Sequence, residues 1–247
     1  MTVRYGGVTI DWLGYATTRI EWPDGTVAYT DPGRYGVLTG EWEPNDPDLT
    51  DGHPAPTDYR AQDGDVVVVT HDHHYDSDCI RRVASEDATV VVYDAVYPPG
   101  IGRDVGPLDD LPYEVVRVDD EADLMFDDLI VRSVAAYTRP DEPGAEPSHP
   151  EGFGCGCLLT VGDTTVFWPG DTDVLEGHAE LDVDVFLPPL DRRITMAPEE
   201  AADLGEAMDP GLVVPIHYNT FERLATDSGA FAADVAGRGI PVALDEQ

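Results

Sequence analysis

The spacing of apolar and polar positions changes character along the chain and marks out its elements. Val8–Leu13 alternates with the two-residue period of a half-buried strand. Thr17–Trp22 and Thr26–Thr30 follow as two strands around Pro23-Asp24-Gly25, a hairpin turn signature. From 35 to 62 prolines and aspartates replace any period. That stretch reads as a loop insertion or lid, in which Tyr35, Leu38 and Trp42 could fold over a ligand or simply pin the loop to the body. Asp65–Val69 holds four consecutive valines, apolar on both faces, which suits a strand buried between two layers. Asp78 is placed to cap a short helix through Ser85, with Ile80, Val83 and Ala84 at helical spacing. Thr89–Tyr93 is again a buried strand, Ala95–Pro112 is loop, and Glu114–Val118, Asp123–Phe126 and Leu129–Ala135 are short strands. A polar loop from Thr138 to Phe153 leads to the hairpin Cys155–Val161 and Thr164–Trp168. Val183–Leu187 and Leu212–Ile216 are strands. Pro198 at a first helical position, Glu199 and Glu200 behind it and Pro210 beyond the end bracket a helix to Met208. A last helix spans Ser228–Arg238, and a final strand covers Val242–Leu244. Strands come first and then alternate with helices, which predicts a layered α/β (α+β) sandwich over 1–247 as a single domain.

Composition narrows the class. A chain of 247 residues can bury about three quarters of its unfolded surface. No apolar run approaches the roughly 20 residues of a membrane span. The start, Met1-Thr2-Val3-Arg4-Tyr5-Gly6, lacks a basic region followed by an apolar core, so a cytoplasmic protein is expected. Fifty acidic residues face fourteen basic ones, a net charge of −36, and every basic residue is arginine. Such a surface repels itself until salt near 1 M shortens the screening length to about 3 Å. With acids spread over the whole length, the pattern is that of a salt-adapted, halophilic protein. The same charge argues against nucleic acid, whose phosphates need a basic face. Cys79, Cys155 and Cys157 are expected as thiols.

The chemistry gathers behind the valine strand. His71-Asp72-His73-His74-Tyr75-Asp76-Ser77-Asp78 follows it directly, whereas the whole chain has only seven histidines. A strand end fixes the backbone while the loop converges imidazoles and carboxylates, the donor types a divalent metal takes. His71 and His73 share a face if the chain stays extended. Asp31, His149, Asp171 and His217 also follow apolar runs, so one edge of a sheet sandwich can collect them into a metal site.

The ordered set Thr70-His71-Asp72-His73 with Asp76, Gly170-Asp171-Thr172-Asp173 and Pro215-Ile216-His217-Tyr218 resembles the metallo-β-lactamase fold superfamily. Trp12-Leu13-Gly14, Asp31-Pro32, His149-Pro150-Glu151-Gly152 and Thr195-Met196 with Pro198-Glu199-Glu200-Ala201 are similar to the branch that includes L-ascorbate-6-phosphate lactonase-like proteins and other metal-dependent hydrolases. The resemblance implies an αβ/βα four-layer sandwich with two mixed β-sheets and the metal at one edge. It also implies that His71, His73 and His149 hold a first metal, with Asp171 shared or bridging, and that His217 and Asp76 belong to a second. The chain departs from the family pattern His-x-His-x-Asp-His. Without gaps, Tyr75 takes the aspartate position and Asp76 the second histidine position. With His74 as an insertion, Asp76 is the aspartate and Ser77 replaces the histidine. Both alignments remove an imidazole from the second site, which His74 restores only if the loop is rearranged. Tyr15 stands where the branch usually has histidine. One well-held divalent metal, zinc or manganese, and a weak or absent second are therefore expected.

Such a centre implies hydrolysis of an ester, lactone or phosphoester-type small molecule by activated water. Asp76 or Asp171 would orient the water, and either of these or His217 would protonate the leaving group. Tyr15 and Tyr218 could donate to the developing oxyanion or merely pack. Arg192 and Arg193 could receive a phosphate or carboxylate or pair with surface acids. The alternative is a non-catalytic metal-binding homologue with a sensor or structural role; oxidoreduction at a di-iron centre would need the second site. The expected partner is a small-molecule substrate, with no nucleic acid and no membrane, and an oligomer is left open.

Overall fold

The valine run lies inside a seven-stranded sheet and is apolar on both faces because both faces are covered. Val66 and Val68 belong to the cluster between the sheets, while Val67 and Val69 pack outward with Ile80 and Val83 of a helix. The computed structural model describes residues 2–33, 59–102, 104–140, 144–191, 194–221 and 224–246. The first sheet runs in chain order: β1 (Val3–Tyr5), β2 (Val8–Gly14), β3 (Thr17–Glu21), β4 (Val27–Thr30), β5 (Gly64–Val69), β6 (Ala84–Tyr93) and β7 (Glu114–Val118). Its β1–β4 pairings are antiparallel and its β4–β7 pairings parallel.

The second sheet repeats this plan with β8 (Asp123–Phe126), β9 (Leu129–Ala136), β10 (Gly154–Val161), β11 (Thr164–Trp168), β12 (Val185–Phe186) and β13 (Leu212–Val213). It is antiparallel as far as β11 and parallel beyond. Ile10, Trp12, Ile20 and Val91 of the first sheet share a buried cluster with Leu129, Val131, Leu159, Val166 and Trp168 of the second. Helix α1 (Ser77–Val83) lies outside the first sheet. Helices α2 (Pro198–Met208) and α3 (Ser228–Gly237) contribute Ala201, Leu204, Met208, Phe231 and Val235 to the cluster of the second. The expected sandwich of two mixed sheets with helices outside is present.

Several boundaries differ from the pattern in the sequence, each for a local reason. The cap of α1 is Asp76 rather than Asp78: its side chain accepts from the N–H groups of Asp78 and Cys79, which puts Asp78 in the first turn. The helix stops at Val83 because Ala84 turns extended and opens β6 five residues earlier than Thr89. The strands expected at Val183–Leu187 and Leu212–Ile216 shrink to two residues each. Pro188, Pro189 and Pro215 lack the N–H that a longer ladder needs. In place of a strand over Val242–Leu244 there is a single bridge from Val242 to Val213. Of the loop insertion or lid expected at 35–62, the stretch 35–58 lies outside the described residues; Tyr59, just after it, is buried. All three cysteines are buried thiols. Among the described residues, no helix is long and apolar enough to cross a membrane.

A buried histidine away from the sheet edge ties stability to pH. His178 opens a 3-10 turn, is 4% exposed, packs on Phe167 and accepts from the Leu175 N–H through Nδ1. Burial pushes its pKa down to about 4. The native state therefore holds it neutral while the unfolded chain protonates near 6.5, so this contribution is complete above about pH 6.5 and fades as the pH falls towards 4. Linkage gives a loss of about 2 kcal/mol between pH 7.5 and 5. Urea unfolding of wild type and His178→Gln at both values is expected to show the wild type losing that much more than the variant.

Candidate metal centre

The parallel strands of both sheets deliver their following residues to one edge. Asp31 follows β4 and its N–H donates to Val68 of β5. Beyond β5 the chain does not stay extended: Asp72–His74 forms a 3-10 turn, pinned from outside by the Tyr97 N–H donating to the Asp72 carboxylate at 2.6 Å. The turn swings His73 and His74 successively round, so both join His71 at the edge. Gly33 allows the turn to seat, since a Cβ there would lie 2.5 Å from the carbonyl oxygen of His74. Across the seam, the Cys155 N–H donates to Thr70 and the His217 N–H donates to Tyr15. His149 is held by Thr138 twice: its carbonyl accepts the Thr138 N–H and its own N–H donates to the Thr138 hydroxyl. Tyr15, Asp31 and His217 all adopt left-handed backbone with φ of 51°, 44° and 59°, the kind of stored strain that concentrates at functional sites.

Asp171, buried after β11, is the centre of the cluster. Its Oδ2 stands 3.6 Å from His71 Nε2, 3.5 Å from His149 Nε2 and 3.7 Å from His74 Nε2, and its Oδ1 3.5 Å from His217 Nε2. His73 Nδ1 is 3.1 Å from His149 Nε2, and His74 Nε2 is 3.3 Å from His217 Nε2. Donors about 2.0–2.1 Å from a tetrahedral ion stand roughly 3.3 Å apart, so these separations fit a divalent cation shared among imidazoles and a carboxylate. The His71 Nε2 atom supports the fit: it is buried and makes no hydrogen bond. Burial first, and the neighbouring His74 and His149 imidazoles next, hold His71 well below the ordinary histidine pKa, which keeps it neutral and its lone pair available. His71, His73 and His149 form one group of mutually close donors and His71, His74 and Asp171 another. Phe153 closes the first group on one side, its ring 5.2–5.8 Å from those of His71, His73 and His149.

Of the residues expected from the sequence, the structure brings His71, His73, His149, Asp171 and His217 together. Asp76 is in neither of the two groups among the described residues; its Oδ1 serves the cap of α1. His74 enters in its stead, its Nε2 3.3 Å from that of His217 and 3.7 Å from the Asp171 oxygen that His71 and His149 also face. Tyr15 packs its ring against His74 and His217 at 5.0 and 4.7 Å. The Tyr218 ring tilts against Trp12 and its hydroxyl donates to Glu246. Arg192 and Arg193 lie outside the described residues. Behind the histidines stand two buried carboxylates. Asp31 has Oδ2 3.1 Å from His74 Nδ1, and Asp191 has Oδ2 4.0 Å from His217 Nδ1. Burial pushes the Asp31 pKa up to about 6 against the pull of its donors Thr70 and Trp168.

A family model described as a beta-lactamase superfamily domain matches residues 9–217. The chain is similar to the UPF0173 metal-dependent hydrolase YtkL of Bacillus subtilis, at 29% identity over 73% of this chain and 80% of that one. It is also similar to a UPF0173 metal-dependent hydrolase of Pyrococcus horikoshii, at 30% identity over 81% and 87%. Among solved structures, Igni18, a metallo hydrolase from Ignicoccus hospitalis, superposes with a TM-score of 0.70 at 20% identity, covering 97% of this chain and 95% of that one, a likeness of fold.

Proposed function

The chain belongs to the beta-lactamase superfamily, and on that premise we propose that this metal-dependent hydrolase acts on an ester, lactone or phosphoester-type small molecule. The observation that carries the reading is Asp171, a buried carboxylate with four imidazole nitrogens 3.5–3.7 Å from its oxygens. His71, His73 and His149 with Asp171 would hold one divalent ion, zinc or manganese, and His74 and His217 would flank a second position on the other side of the carboxylate. A bound divalent ion supplies Lewis acidity towards a carbonyl or phosphoryl oxygen and brings the pKa of water to about 7. Asp171 would orient the attacking water, and where the second position holds no ion His217, buried with its backbone N–H on Tyr15, would carry the proton to the leaving group. Half-buried Phe153 keeps bulk water from the His71–His73–His149 side and gives an apolar substrate flank a surface to rest on.

The test is turnover by protein purified in molar NaCl and supplied with manganese or zinc, on lactones, carboxylic esters, thioesters and phosphodiesters. Hydrolysis within one class, abolished by a chelator, is the expected result. Protein that carries the ion and turns over none of these classes would overturn the hydrolytic reading in favour of a metal-binding protein without catalysis.

A further inference from the structure

The buried Asp31 carboxylate gathers contacts from both sheets. Its Oδ1 accepts the Thr70 N–H at 2.7 Å. Its Oδ2 accepts the Thr70 hydroxyl at 2.8 Å and the Trp168 indole N–H at 2.7 Å, and lies 3.1 Å from His74 Nδ1. Thr70 has one hydroxyl hydrogen, and the carboxylate takes it. The remaining contact of that oxygen, 3.0 Å to His71 Nδ1, must then run the other way, with Nδ1–H donating. His71 is therefore the tautomer whose lone pair sits on Nε2, the atom that faces Asp171. The carboxylate beside His74 Nδ1 favours the same choice there, leaving His74 Nε2 open towards Asp171 and His217.

We infer that Asp31 is the positioning residue of the centre: through Thr70 it fixes the proton of His71, its negative charge 3.1 Å from His74 Nδ1 draws the proton of His74 to that nitrogen, and so it presents both Nε2 lone pairs to the ions. The inference rests on the metal-centre reading above. It explains how one carboxylate on the first sheet governs the two imidazoles that share Asp171 Oδ2. It also explains why an aspartate with φ of 44° is held in place by a tryptophan from the opposite sheet.

Asp31→Asn keeps the shape and removes the logic. Either orientation of the amide points an N–H₂ at a donor, Thr70 N–H on one side or the Thr70 hydroxyl and Trp168 on the other. The proton on each histidine is then free to move to Nε2. The experiment is cobalt(II) uptake by wild type, Asp31→Asn and Thr70→Val in molar NaCl, read by competition with a chelator and by the visible ligand-field spectrum. Circular dichroism of each metal-free protein controls for folding. Asp31→Asn is expected to weaken uptake by about 10–100-fold, the usual scale for an outer partner of a ligand, and to alter the spectrum. Thr70→Val is expected to weaken one ion position and spare the other, because the His74 contact remains. A folded Asp31→Asn with wild-type affinity and spectrum overturns the inference. If that variant does not fold, an unchanged Thr70→Val overturns it instead. Wild type that takes up no cobalt overturns the metal-centre reading, and the inference falls with it.

Discussion

Asp171→Ala is expected to lower kcat/KM by at least about 10³-fold and to strip the protein of most of its ion while the metal-free fold persists. The magnitude follows from position. One carboxylate stands within 3.7 Å of the facing nitrogens of His71, His74, His149 and His217, so its removal takes the negative charge and the shared ligand from both halves of the cluster at once. Several kcal/mol of transition-state stabilisation depend on a correctly held ion, and each 1.36 kcal/mol is about tenfold in rate. Steady-state kinetics with elemental analysis on the same preparation decide it. Turnover within about tenfold of wild type would remove Asp171 from the centre, and a loss of fold without ion would make it structural.

Removing the ion is expected to lower the melting temperature by about 8–16 °C. An ion present at about a thousand times its dissociation constant stabilises the native state by about 4 kcal/mol, and at this chain length each kcal/mol moves the transition by about 2–4 °C. The effect should be global because the ligands come from both sheets: His71, His73 and His74 follow β5, His149 precedes β10, and Asp171 and His217 come from the later strands. Scanning calorimetry in molar NaCl with and without a chelator measures it. Identical transitions in the two scans would mean that the histidines at this edge hold no ion in the native state.

Much of this was legible in the sequence because burial leaves a direct mark. Four valines in a row announce a strand covered on both faces, and the bracket of Pro198 and Pro210 marks α2 at its observed ends. Histidines and aspartates placed after apolar runs announce the edge where the chemistry collects. The sequence admits His74 only on condition of a rearranged loop, because the alternation rule assumes extended backbone. Two residues apart means one face in a strand, but the 3-10 turn at Asp72–His74 brings three histidines of four consecutive residues to one place. No linear comparison with a motif contains that rotation. The partner of the Tyr218 hydroxyl was hidden for a different reason: its acceptor, Glu246, lies 28 residues on and carries no sign of the pairing in its local sequence. Asp31 showed itself only as the end of a strand, and its grip on Thr70, Trp168 and His74 exists solely in three dimensions.

The order of the strands has a consequence for the chain as a whole. In each sheet every strand lies beside its neighbour in sequence, the first sheet closing at Val118 before the second opens at Asp123. Among the described residues the chain is thus two consecutive halves laid face to face, with no strand exchanged between their ladders. His71, His73 and His74 fall in one half, and His149, Asp171 and His217 in the other. An ion at this edge would be a rivet through a seam: a cut in the turn after β7 would leave two pieces each holding half a ligand set, joined by their buried faces and locked in register by the ion.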